Sequence, residues 1–312
     1  MPFPSLLRRL QALPNVVQGA LYMLAAAFFF SMMNTLVRLA AAELPPIQIA
    51  FLRNLFALIA MMPWLFSQGL ANAKSNRPGL QLTRAIVGII AMALWFTSLA
   101  LVPMTQAVAL NFTLPLFVVA GAAILLKEDV GTRRWGATAI GFLGMLVIIR
   151  PGFLDVSATT FLPIIAAVFM AMSMLILKKL SDYDSPGTSV LYMNFLMAGL
   201  SFIPAIFVWQ SPSWQTLGFV ALLGTFGTMA HLSLARAYRV AEASAIMVFD
   251  YARLPLIAIC SYIVFDEVAG FWTWIGAAII AGSAIYIARR EAVIAKQKAV
   301  LVKVAETPLQ RQ

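Results

Sequence analysis

The chain has 312 residues, of which 62% are hydrophobic and only 11% charged, and its mean hydropathy is +0.90. A soluble globule covers its surface with about 25% charged residues, so this composition excludes one and sets most of the surface against lipid. The formal charge of +10 would suit a nucleic-acid partner, but the placement of the basic residues gives it another role.

A helical span needs roughly 20 apolar residues. Apolar runs bounded by charge, Pro and Gly predict ten spans, near 17–41, 45–66, 82–101, 104–126, 133–149, 160–180, 187–209, 215–236, 241–265 and 271–289. Residues 1–16 carry Arg8 and Arg9, are interrupted by Pro2, Pro4 and Pro14, and read as a cytoplasmic N-terminal segment with no cleavable signal. Residues 291–312 alternate basic and apolar side chains and read as a cytoplasmic tail that rests on anionic lipid. With both termini inside, 18 of the 22 Lys and Arg fall on the inner side, among them Lys74, Arg77, Arg84, Lys127, Lys178 and Lys179. Arg38 and Arg150 lie at outer ends, and Arg53 and Arg253 fall within spans. That asymmetry is the positive-inside rule. The excess charge therefore orients the chain in the bilayer, and no nucleic-acid partner is expected.

A repeat runs through the chain. Pro115, Glu128 and Trp135 are echoed about 140 residues later by Pro255, Glu267 and Trp274. In each set an apolar helix with a mid-span Pro ends at an acidic residue, and a short loop leads to Trp and a Gly/Ala-rich helix. Five helices per half is an odd number, so the halves must have opposite orientation in the bilayer. The predicted fold is an all-α polytopic membrane protein: ten transmembrane helices as two inverted five-helix repeats, 17–150 and 151–290, with a binding site expected at their interface.

Ionisable groups within spans are costly and mark candidate sites. Asp250 is the one acid that cannot be placed in a loop, helix end or tail. Arg253 follows three residues later on the same face, with Met247, Tyr251 and Leu254 beside it. Pro255 is expected to kink the helix there. Asp250 either binds a cationic group or coupling proton, with Arg253 tuning it, or forms a structural ion pair with Arg253. Arg53, beside Asn54, has no local acid, so it must reach Asp250, line a wet cavity or bond helix-end carbonyls. Ser31, Asn34, Thr35 and Arg38 make a polar stripe on the first helix that faces a cavity or another helix. Asn111, one turn before Pro115, corresponds to the second-half charge cluster. Trp95, Thr97 and Ser98 on the third helix, and His231 with Tyr238 on the eighth, complete a ring of candidate contacts. His231 is either a packing histidine or a proton relay. The 16 Met and 22 Phe read as lipid-facing or packing residues, with aromatics of the third and fourth helices suited to a planar ligand. A single histidine and a single cysteine, Cys260, exclude a His- or Cys-based metal cluster, and no cofactor is expected.

Several stretches resemble the drug/metabolite transporter superfamily, of the EamA type, over roughly residues 17–290. They are Phe51-Leu52-Arg53-Asn54-Leu55, Ala107 through Phe117, Lys127-Glu128 to Arg133-Arg134-Trp135, Gly141–Gly144 with Arg150-Pro151-Gly152, Phe249-Asp250-Tyr251-Ala252-Arg253-Leu254-Pro255, and Phe265-Asp266-Glu267. The resemblance implies alternating access around a central cavity and a small-molecule substrate. Members of this kind carry amino acids, S-adenosylmethionine, riboflavin, metallophores or drugs. The family commonly has Gly-Glu at the end of both fourth helices, where this chain has Lys127-Glu128 and Asp266-Glu267; at helix ends the change is expected to leave mechanism untouched. A P-loop sequence is missing, so proton coupling or exchange is the expected drive. One deep carboxylate with two deep arginines favours a zwitterion such as an amino acid or S-adenosylmethionine, with riboflavin next. Export of drugs or other xenobiotics is the alternative, and a membrane-embedded enzyme a remote one.

Overall fold

The computed structural model describes residues 13–69, 73–101, 104–111, 113–128, 130–149 and 158–266, with parts of 271–286. Regular structure among them is helical throughout: α1 (Asn15–Ala40), α2 (Pro46–Gln68), α3 (Pro78–Leu101), α4 (Met104–Asn111), α5 (Leu114–Leu125) and α6 (Thr132–Ile149). There follow α7 (Leu162–Leu180), α8 (Pro186–Phe207), α9 (Trp214–Val240), the single turn α10 (Ala243–Ile246) and α11 (Arg253–Phe265). Short 3-10 stretches at Ala158–Phe161 and Met247–Ala252 precede α7 and α11. The expectations resting on Arg8, Arg9, Arg150, Glu267 and the 291–312 tail lie outside the described residues, as does part of the tenth predicted span.

The helix ends follow from local chemistry. Pro46 and Pro186 begin α2 and α8, where a fixed φ suits the first turn and a missing N–H costs nothing. Ser185 and Ser213 cap α8 and α9, their hydroxyls accepting from the backbone N–H of Thr188 and Thr216. Lys178 donates to the carbonyls of Tyr238 (2.8 Å) and Ala241 (2.9 Å), so a cation assigned from sequence to an inner connection also closes the end of α9. Lys127 (φ 55°) and Asp266 (φ 53°) turn left-handed just beyond α5 and α11. These are the two positions where the resembled family commonly carries Gly. The turn needs a left-handed residue, which Gly adopts freely and other residues only at a cost. Next in sequence, Glu128 accepts from the backbone N–H of Ala243 at 2.9 Å, tying the first half to α10 of the second.

Among the described residues six helices are long and apolar enough to cross a membrane: α1, α2, α3, α7, α8 and α9. They pair across the halves. α1 packs most extensively on α9 and α3 on α7, α2 lies along α8, and the contact of α2 with α9 is matched by that of α3 with α8. Exchanging α1, α2 and α3 with α7, α8 and α9 maps this set of contacts onto itself, as an inverted repeat requires. Close approach is bought by small residues: a Cβ added at Gly224 of α9 would stand 2.8 Å from both the Arg53 carbonyl oxygen and the Ala57 nitrogen of α2. Phe66, Ile124, Phe207, Trp214 and Ile263 are 74–90% exposed, an outward apolar surface that hydrocarbon accommodates and water would not.

Two spans depart from expectation. The stretches 104–126 and 241–265, read as continuous helices, are each interrupted: α4 ends at Asn111 and α5 starts at Leu114, while α10 gives way to the 3-10 turn before α11. Both interruptions lie just ahead of a proline. Pro115 and Pro255 cannot donate to the carbonyls of Asn111 and Tyr251, and their rings crowd those carbonyls. Where a kink was expected in one half, both halves break at corresponding positions. In addition, α3 begins four residues earlier than predicted, which moves Arg84 from a helix margin into its interior.

Candidate functional site

Between the halves lies a cavity of about 130 Å³. Its walls come from both repeats: Phe30, Met33 and Asn34 of α1, Arg53 of α2, Arg84, Met92, Trp95 and Phe96 of α3, and Asn111 and Leu114 flanking the first break. The second half supplies Met170, Ser173, Met174 and Leu177 of α7, Met193 and Met197 of α8, His231 and Leu234 of α9, and Arg253 at the start of α11. Six predicted site residues, Asn34, Arg53, Trp95, Asn111, His231 and Arg253, are thus brought together on one cavity.

The other two, Asp250 and Tyr251, do not line it. Asp250 is 1% exposed and accepts from Arg253 Nη2 at 2.6 Å. Tyr251 is fully buried behind it, its hydroxyl donating to the Thr138 carbonyl at 3.3 Å and its ring against Gly141 of α6. The 3-10 turn turns these two side chains away from the cavity that Arg253 reaches. Of the wider ring, Thr97 and Ser98 bond back to the carbonyls of Ala93 (2.8 Å) and Leu94 (2.7 Å) instead of lining the cavity, and Thr97 is exposed on the outer surface. Tyr238 is wholly buried with its hydroxyl 3.6 Å from the Met247 sulfur. From the α1 stripe, Asn34 alone reaches the cavity. Ser31 and Thr35 bond back along the helix, and the Arg38 guanidinium sits 4.2 Å from the Phe265 ring centre.

The electrostatics are one-sided. Arg53 is 4% exposed and donates to Asn54 Oδ1 at 3.4 Å and contacts the Met92 sulfur at 3.8 Å. Arg84, 2% exposed, donates to the Ser189 carbonyl at 3.0 Å and contacts the Met193 sulfur at 3.2 Å. A guanidinium has five N–H donors, and among the described residues neither arginine has a carboxylate partner. Nε of both, and Nδ1 of His231, are buried with no hydrogen-bond partner. A buried donor left unpaired costs about 1–3 kcal/mol, so the two guanidiniums call for acceptors in the cavity. Among the described residues no carboxylate lines it, and no cluster of His, Cys, Asp and Glu could hold a metal. Asn111 bridges the first break to the second half, its amide donating to the Pro163 carbonyl at 3.3 Å.

Sequence reasoning missed Arg84 and the methionines. Arg84 was masked by its nearness to an inner connection, yet it lies seven residues into α3. The methionine wall does carry a signal: Met170, Met174 and Leu177, with Ser173, and Met193 with Met197, repeat at helical spacing. In a chain this apolar the same spacing occurs on lipid-facing surfaces, so it could not single them out.

The model of the EamA-like transporter family matches residues 17–150 and again 158–289. A riboflavin transporter of Vibrio cholerae is 36% identical over 280 residues, covering 88% of this chain and 94% of its own. One from Rhizobium johnstonii is 32% identical, with coverages of 89% and 93%. An S-adenosylmethionine uptake transporter of Rickettsia prowazekii is 28% identical, covering 88% and 94%. A solved crystal structure, 19% identical, shares the fold with a TM-score of 0.74 over 88% of this chain and 98% of its own. Two matches to one family model in tandem, on a helical chain whose halves pair by exchange, lead to one conclusion: the chain belongs to the EamA-like transporter family, and is a multi-pass membrane transporter of small metabolites, not an enzyme.

Proposed function

We propose that this chain takes up riboflavin, or a flavin of the same ring system, across a bacterial cytoplasmic membrane. One observation carries the reading: the cavity joins aromatic faces (Phe30, Trp95, Phe96) and polarisable methionines to two guanidiniums that have no carboxylate. Such walls suit a flat, acceptor-rich molecule. Aromatic faces stack on the ring, thioethers conform to it, and the arginines donate to its carbonyls. The names of two relatives agree with this chemistry. In this reading Arg53, Arg84, Asn34, Asn111, Trp95, His231 and Arg253 contact substrate. The pair Asp250–Arg253 and Tyr251 hold the second helix break in place.

Transport proceeds by alternating access, the units 17–150 and 151–290 rocking about the cavity while the two breaks give way. Proton coupling or exchange supplies the drive. The positive-inside asymmetry supports cytoplasmic termini. A second reading, an S-adenosylmethionine-like zwitterion, is favoured by the Asp250–Arg253 pair and by the Rickettsia relative. In that case the pair opens so that Asp250 meets the cationic end and Arg253 the carboxylate. Counterflow in proteoliposomes against riboflavin, S-adenosylmethionine and an amino-acid panel separates them. Riboflavin exchange is expected; exchange of S-adenosylmethionine alone would replace the first reading with the second.

A further inference from the structure

The geometry points to a specific subsite within this cavity: Arg53, Arg84 and His231 read the imide edge of a flavin ring. The inference rests on the flavin reading above and names which edge of the ring is recognised. Arg53 Nε, Arg84 Nε and His231 Nδ1 are buried atoms without a hydrogen-bond partner, all on residues that line the same cavity. Their placement is linked. A Cβ added at Gly227 of α9 would stand 3.1 Å from Arg53 Nε and 3.3 Å from its Nη2, so that guanidinium lies over Gly227. His231 follows four residues later on the same helical face. Arg84 is held from the other side by α8, through the Ser189 carbonyl and the Met193 sulfur. Phe30 meets the His231 ring edge-on at 5.1 Å, which fixes the imidazole plane.

The set offers two strong donors and one imidazole, whose unprotonated nitrogen accepts. An imide edge is its complement: a carbonyl, an N–H and a second carbonyl in a row. The arginines donate to the two carbonyls and His231 accepts the N–H between them. Stacking on Trp95 and Phe96 would hold any flat aromatic equally well; the three polar groups select the one that carries an imide.

The test compares riboflavin with N3-methylriboflavin, in which a methyl replaces the imide hydrogen, by counterflow into proteoliposomes holding the full chain. The wild type is expected to exchange riboflavin at least roughly tenfold better, because a site built around a hydrogen bond rejects an analogue lacking it. His231→Leu should bring the two compounds within about twofold, and His231→Gln, which keeps an acceptor, should restore part of the preference. Arg84→Met should raise the riboflavin KM about tenfold or more with little change in maximal rate. Equal exchange of both compounds by the wild type would overturn the inference while leaving flavin transport standing, and this arm needs no variant to fold. A His231→Leu protein that keeps the full preference would overturn it as well. If the wild type exchanges no flavin, the flavin reading itself fails and the subsite falls with it.

Discussion

Asp250 shows how a single residue changes meaning between sequence and structure. As a lone carboxylate in a span it invites a substrate role, yet its Oδ2 accepts from Arg253 and it stands back from the cavity. Removing one member of a buried pair strands the other charge, at a cost of about 3–5 kcal/mol, whereas replacing both by apolar residues is often neutral. Asp250→Ala is therefore expected to lower the thermal unfolding temperature sharply. Asp250→Ala with Arg253→Met should recover most of it, yet still lack transport because Arg253 lines the cavity; full transport by the double variant would contradict that role. Lys127 is the second case. Its left-handed conformation costs about 1–2 kcal/mol, part of which Gly returns as freedom in the unfolded chain. Lys127→Gly should thus stabilise by roughly 0.5–1 kcal/mol in thermal unfolding and leave transport rates unchanged.

Between elements, two carboxylates in equivalent loops tie the repeats together at opposite ends of the helices. In the α1–α2 loop Glu43 accepts from the Thr216 hydroxyl, and from the Ser213 backbone N–H (2.5 Å) and hydroxyl (2.8 Å), at the start of α9. In the α7–α8 loop Asp184, 4% exposed, accepts from the Ser75 hydroxyl (2.5 Å), the Asn76 backbone N–H (2.8 Å) and the Gln81 amide (2.8 Å), at the start of α3. Each repeat thus offers its first loop to the third helix of the other. The hydrogen bond from Thr216, then those from Ser213, hold the Glu43 carboxyl below the usual carboxylate value. A depressed value means that the fold favours the ionised form. The stabilisation is complete above the ordinary carboxylate pKa of about 4.3 and is lost as pH falls through the lowered one. Thermal unfolding of Glu43→Gln is therefore expected to lie below wild type at pH 7 and to converge on it in acid. A constant gap down to pH 3 would show that the carboxylate charge is irrelevant to this contact.

For the whole molecule, the breaks before Pro115 and Pro255 and the exchange pairing of α1, α2 and α3 with α7, α8 and α9 place unpartnered side-chain polar groups around one cavity. In a bilayer irregular backbone is tolerated only where protein or a water-filled cavity covers it, which supports the interface between repeats as the proposed place for substrate. Deleting 292–312 is expected to leave proteoliposome counterflow intact; loss of transport in normally inserted protein would give the tail a role.

The helical class, the inverted repeat and the family were legible from sequence because each depends on local or periodic properties. Apolar length, charge asymmetry and a recurring Pro, acid and Trp survive without knowledge of contacts. Six cavity residues were found the same way, since a polar side chain in an apolar helix is conspicuous wherever it points. What tertiary structure alone decided is which of these groups face each other. The 3-10 turn directs Arg253 into the cavity and Asp250 and Tyr251 away from it, an earlier start to α3 carries Arg84 inside, and six methionines become a wall instead of a lipid surface. The reason is physical: in hydrocarbon-soluble helices hydrophobicity no longer separates inside from outside, so the facing of each side chain is set by small-residue contacts, helix breaks and unpaired polar groups that exist only once the helices are packed.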